Sequence, residues 1–288
     1  MIARAIIIWL LLCVLAILNG AFREAILKPR LGERWAHFLS TLILSGVIWT
    51  TSFAFLDWIG ATTLASAWWL GFGWLSMTLA FEFLAGHYVF KNGWDKLLGD
   101  YDASKGRVWL LVPACTLFAP PIAAHGLDDR WHWPHIISVV VAVVALAFSL
   151  FKPQVARGMI AFGFAYAGGI NLWMALASPQ EYFTYADFVI VPAYKDFILG
   201  SFQSIVTAMV AAIAIGQLLI AAALALGGRL LPFGVAGVVI FLLAIAPFGQ
   251  GSAFPFSVLV SLAAVSVLGT APSRAVSRTH LRVAPRAF

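Results

Sequence analysis

Apolar runs of about bilayer length recur from one end of this chain to the other. Nine can be drawn, at roughly 2–22, 36–57, 61–85, 107–125, 135–151, 158–177, 199–226, 231–248 and 254–271. An α-helix needs about 20 such residues to cross a hydrocarbon core of about 30 Å. In lipid the backbone must satisfy its own hydrogen bonds, so a spanning chain is helical or a closed barrel. The short alternating segments of a membrane barrel are absent. The expected fold is all-α, a polytopic transmembrane helical bundle of about nine spans. Only 10% of the residues are charged, against about 25% in soluble domains, which removes the soluble classes. The first run carries no small-residue cleavage site and reads as a retained helix.

Charge gives the expected orientation. Arg23, Lys28, Arg30 and Arg34 fall between the first two runs, and Lys91, Lys96, Lys105 and Arg107 between the third and fourth. With Lys152, Arg157, Arg229 and the four arginines of the tail, fifteen of the 18 basic residues lie on one side. The positive-inside rule makes that side cytoplasmic, with the N-terminus outside and the C-terminus cytoplasmic. The net charge of +6 follows from this bias and does not indicate nucleic acid. The chain divides into a four-helix membrane region (1–125), an outer loop (126–134), a five-helix membrane region (135–272) and a basic cytoplasmic tail (273–288). No convincing repeat relates the two halves.

The polar residues inside the apolar runs are the candidate functional groups. Glu82, in "SMTLAFEFLAGHY", lies about one turn before the cytoplasmic end of the third run. A charge at the bilayer centre costs about 2.5–3.5 kcal/mol on insertion scales, and less near the ends. The matching end of the first run carries Asn19, Arg23 and Glu24 ("NGAFRE"). Arg23 is the expected partner, as a guanidinium–carboxylate pair, with His37 and His87 as alternatives at that depth. Glu82 is then either a structural staple or a proton or headgroup site. In the following connector, Trp94, Leu97, Leu98 and Tyr101 suit a short amphipathic helix among headgroups.

Asn171 and Gln217 lie mid-span in runs six and seven, adjacent in sequence, so the two amides can meet as interhelical glue or line a polar pocket. The long outer connector "PQEYFTYADFVIVPAYKDFILG" is too short in its apolar core to span and is broken by Pro192. Its Tyr182, Tyr185 and Tyr194, with Lys195 and Asp196 as anchors, suit a surface-lying element or a lid over an opening between runs six and seven.

No metal site is expected. Asp95, Asp100 and Asp102 lack calcium-loop spacing, and His125, His132 and His135 are irregularly placed for zinc. Cys13 and Cys115 form no C-x-x-C, and no motif of a soluble-type catalytic site or known cofactor occurs.

Two stretches carry a resemblance. "NGAFREAILKPRLGER" with "FEFLAGHY" and "LLGDYDASKGRVW", over roughly residues 1–124, resembles small bacterial inner-membrane proteins of unassigned function. The segment from about 158 to 271, with "INLWMAL", "EYFTYADF" and "FLLAIAPFGQG", is similar in layout to the DoxX-like four-helix membrane proteins, some of which are linked to quinone-coupled sulfur oxidation. The resemblance implies a multi-pass protein of a bacterial inner membrane. Three functions are expected: a scaffold or binder of a lipid- or isoprenoid-like ligand, a quinone-linked membrane oxidoreductase subunit, and a small proton-coupled transporter using Glu82. Membrane lipids are the expected partners, with quinone or isoprenoid as candidate ligands.

Overall fold

The computed structural model describes residues 1–126, 132–250 and 253–269. The outer loop at 127–131 and the basic tail at 273–288 lie outside the described residues. Every element among the described residues is helical, and none is a strand. Eleven α-helices follow one another: α1 (Ile2–Phe22), α2 (Lys28–Ile59), α3 (Leu64–Ala80), α4 (Trp94–Gly99), α5 (Leu111–His125), α6 (His132–Phe151), α7 (Pro153–Ala177), α8 (Pro192–Leu199), α9 (Phe202–Leu226), α10 (Leu231–Ile245) and α11 (Phe256–Gly269). Six helical runs are long and apolar enough to cross a membrane: Ile2–Ile59, Leu64–Val89, Trp133–Phe151, Pro153–Ala177, Phe202–Leu226 and Gly228–Phe248. Two shorter apolar helices, Leu111–His125 and Phe256–Gly269, accompany them.

The first of these runs is not straight. The charged stretch expected as a loop stays helical, passing through a π-helical segment at Arg23–Leu27. The chain then reverses at Gly32, whose φ of 77° is a left-handed conformation that glycine adopts without a Cβ penalty. Arg4 near the start of α1 donates to the Trp58 carbonyl at 2.8 Å, and Asn19 near its end donates to the Ser40 carbonyl at 2.9 Å. α1 and α2 are therefore antiparallel neighbours.

Local chemistry sets several ends. Thr63 and Ser66 form a reciprocal capping box at the start of α3, which satisfies donors that a helix start leaves open. The helix expected at 158–177 begins earlier, at Pro153, because proline fits the first turn of a helix. Pro120 and Pro121 sit inside α5, where each removes a backbone donor.

Contacts sort the connectors to two ends of the bundle. At one end Trp35 stacks on Phe151, with ring centroids 4.1 Å apart, and Ser266 of α11 donates to the Ala103 carbonyl at 3.1 Å. At the other, the indole of Trp68 donates to the Ile190 carbonyl at 2.7 Å, and Ile190 N–H donates to the Pro247 carbonyl at 2.9 Å. The Trp68 bond ties α3 in the first half of the chain to the long connector in the second. α11 is enclosed: Ser257 through Ala264 are all buried. It packs against α6, α7 and α10 and also against α5 and the 3₁₀ turn Ala103–Lys105 of the first half, so the two halves share one core.

Candidate functional site

α3 widens into a π-helical stretch, Phe81–Val89, and Glu82 stands in its first turn. Such stretches occur often at functional sites. The carboxylate is half-buried and accepts hydrogen bonds from uncharged donors. The Trp109 indole N–H lies 3.0 and 3.1 Å from its two oxygens, and the Tyr101 hydroxyl donates to Oε2. Both donors come from the connector between α3 and α5. That connector is folded back on the helix end: Phe83 stacks on Tyr101 at 5.6 Å, His87 stacks on Trp94 at 4.3 Å, and Leu97 packs against the buried Gly86. The segment expected to lie among headgroups thus turns Tyr101 and Leu97 inward, because a carboxylate and an aromatic face are available to cover. Burial, reinforced by the Glu82 carboxylate, raises the Tyr101 phenol above its ordinary range.

Arg23 does not reach Glu82, a correction to the expected pair. Its guanidinium lies 3.2 Å from Glu24, and Lys28 lies 3.0 Å from Glu24 and 2.9 Å from Glu33. These charges meet one another around the reversal at Gly32, at short sequence separation and near the surface. No ion pair to Glu82 occurs among the described residues. Asn19 uses its amide N–H on the Ser40 carbonyl. Its Oδ1, with His37 Nε2 and Thr41 Oγ1, is buried without a hydrogen-bond partner among the described residues.

On its other side Glu82 borders a cavity of about 200 Å³ between α1, α2, α3 and α5. The walls are mainly apolar and aromatic: Trp9, Leu12, Ile48, Phe81, Trp109 and Val112 are among them. Trp9 is fixed by a 3.2 Å hydrogen bond from its indole to Thr78 and by an edge contact with Phe81 at 6.2 Å. Ile17 also lines the cavity and is 54% exposed. The cavity therefore opens sideways along α1, toward the surface that faces lipid if the helix spans.

The second polar group lies between α7 and α9. Asn171 Nδ2 donates to Gln217 Oε1 at 2.8 Å, and the Tyr182 hydroxyl donates to Asn171 Oδ1 at 2.8 Å. Gly168, one turn before Asn171, permits this approach, since a Cβ there would lie 3.0 Å from the Ala214 carbonyl. Tyr182 belongs to the 3₁₀ segment Pro179–Asp187, which lies against α7 and α9. Tyr185 and Tyr194 each contact Phe248 edge-on at 5.6 Å, and the Tyr194 hydroxyl donates to the Ala244 carbonyl at 3.0 Å. Lys195 and Asp196 are exposed. Burial pushes the Tyr182 phenol up to about 12. Tyr182 is thus fixed onto α7, Tyr185 onto Phe248 just beyond α10, and Tyr194 of α8 onto α10, and Tyr182 joins a cluster whose hydrogen bonds are internal.

Trp9, Thr78, Tyr101 and Trp109 were not among the expected site residues. The one available signal was a pair of neutral donors in the connector that follows a lone carboxylate.

No family model, curated protein or solved structure matches the chain.

Proposed function

We propose that this is a multi-pass membrane protein that holds a small lipid-like ligand in the cavity beside Glu82. The observation that carries the reading is a carboxylate without a basic partner among the described residues, bordering an apolar cavity that opens along α1. An ionisable group inside a membrane helix is costly and marks a functional site by default. Ligand pockets are typically apolar concavities with a few fixed polar groups.

The membrane placement belongs to the same proposal. The run Ile2–Ile59 folds back at Gly32 into two antiparallel helices, which makes seven long helices of the six runs; the two shorter apolar helices bring the total to nine. The basic connectors then share one end, which the positive-inside rule assigns to the cytoplasm. The enclosed position of α11, buried from Ser257 to Ala264, supports a place in the bundle for a helix as short as Phe256–Gly269. A bacterial inner membrane, and a DoxX-like layout for the C-terminal half, remain our proposals on the sequence resemblance.

A quinone-linked role is less well supported. Quinone carbonyls need donors, and among the donors lining the cavity Trp109 is given to Glu82, Trp9 to Thr78 and Thr116 to the Pro113 carbonyl. A proton-coupled carrier would use the same carboxylate, and ligand retention separates the two readings. The protein is purified in mild detergent, washed, and analysed by mass spectrometry beside Ala16→Phe, which fills the cavity from α1. We expect one apolar small molecule at near-stoichiometric amount in the wild type and its loss in the variant. Bulk phospholipid alone, equal in both proteins, would remove the ligand-binding reading.

A further inference from the structure

We propose, resting on the ligand-binding reading above, that the ligand of this cavity is a lipophilic cation: an aryl- or alkylammonium whose positive end meets Glu82 and whose apolar body fills the space toward Ile17. Three observations converge on that class.

The first is the missing counter-charge. Glu82 is held in place by Tyr101 and Trp109, two neutral donors that bring it no charge. No basic side chain among the described residues pairs with it: Arg23 and Lys28 are held by Glu24 and Glu33, Lys105 by Asp102, and Arg107 lies 3.9 Å from Asp100. A cation arriving from outside would stabilise the ionised form of a carboxylate in such apolar surroundings.

The second is the wall. Trp9, Phe81 and Trp109 all line the same cavity as the carboxylate. A cation over aromatic faces is attracted by the ring quadrupole, most strongly at tryptophan, and quaternary ammonium groups are recognised in this way. The same wall beside the same carboxylate repels phosphate and carboxylate headgroups, so phospholipid heads and isoprenyl phosphates do not fit it.

The third is size. An apolar cavity of about 150 Å³ accommodates benzene. At about 200 Å³ this one takes a single ring or short branched chain with a small head, and the opening at Ile17 allows a longer tail to continue into lipid.

The test pairs a cation with its neutral carbon isostere. Benzyltrimethylammonium and neopentylbenzene have nearly the same shape and differ in charge. Their binding to the full-length protein in lipid nanodiscs is measured for the wild type, Glu82→Gln, Phe81→Leu and Ala16→Phe. We expect the cation to bind the wild type at least tenfold tighter than Glu82→Gln. Phe81→Leu should weaken the cation several-fold and leave the neutral compound unchanged, which keeps the proposal testable if Glu82→Gln does not fold. Equal binding of both compounds, both lost in Ala16→Phe, would overturn the cation and leave the cavity as a neutral apolar site. Cation binding indifferent to both Glu82→Gln and Phe81→Leu would also overturn it. Absence of any binding to the wild type would overturn it as well, while the ligand-binding reading would still be decided by the retained molecule.

Discussion

The two polar groups inside this bundle meet the same problem in opposite ways. Between α7 and α9, Asn171, Gln217 and Tyr182 are neutral, bond to one another at 2.8 Å, and are covered by a fixed 3₁₀ segment. Between α3 and α5, Glu82 is ionisable, takes its hydrogen bonds from neutral donors, and keeps one side on a cavity. The first arrangement is complete in itself, as expected of interhelical glue. The second is satisfied in hydrogen bonds but has no basic partner among the described residues. The difference teaches that a polar side chain in a membrane helix is read by what its partners leave unfinished.

Substitutions should separate the two groups. The largest effect belongs to Gly168→Val. Its Cβ would lie 2.9 Å from Leu218 Cγ and 3.0 Å from the Ala214 carbonyl, so α7 and α9 must part. Overpacking of this kind costs about 3 kcal/mol at its upper end, seen as a lowered unfolding midpoint in mixed detergent, with ligand retention per folded molecule unchanged. Trp109→Phe comes next. It removes a hydrogen bond to a charged acceptor, worth about 2 kcal/mol, and should lower both the midpoint and ligand retention. Loss of stability with full ligand retention would show that the carboxylate and the cavity are unrelated.

Smaller effects belong to the closed cluster. Gln217→Leu strands the Asn171 amide N–H and should cost about 1 kcal/mol, within the range measured for interhelical bonds in membranes. Tyr182→Phe removes one neutral hydrogen bond and should cost about 0.5 kcal/mol. Neither should alter ligand retention, and a ligand lost in Gln217→Leu would move the binding site to the second half of the chain.

Much of this contrast was legible in the sequence, for physical reasons that differ by region. Asn171 and Gln217 stand out because an amide in an apolar run has few partners, and neighbouring spans bring them to the same depth. Glu82 stands out for the same reason. Its partners do not, because depth matching points to Arg23 and ignores the nearer carboxylates. Arg23 is adjacent to Glu24, and Lys28 follows one turn later, so these charges are met locally at the reversal. The reversal itself was hidden: a run with four basic residues reads as a loop, yet it stays helical until Gly32. Tyr101 and Trp109 were hidden too, since aromatics next to lysines read as headgroup anchors. Only the π-helical end of α3, with Phe83 and His87 stacking on the connector, turns them toward the carboxylate. The cavity arises from four helices distant in sequence, and no pattern within one helix encodes it.

The most direct test is a cryo-EM map of the protein in a lipid nanodisc, resolved well enough to show side chains around Glu82. The account predicts Trp109 and Tyr101 on the carboxylate, and non-protein density filling the space against Trp9 and Phe81 and leaving past Ile17. A basic side chain seated on Glu82, or a cavity closed by its own walls, would contradict it.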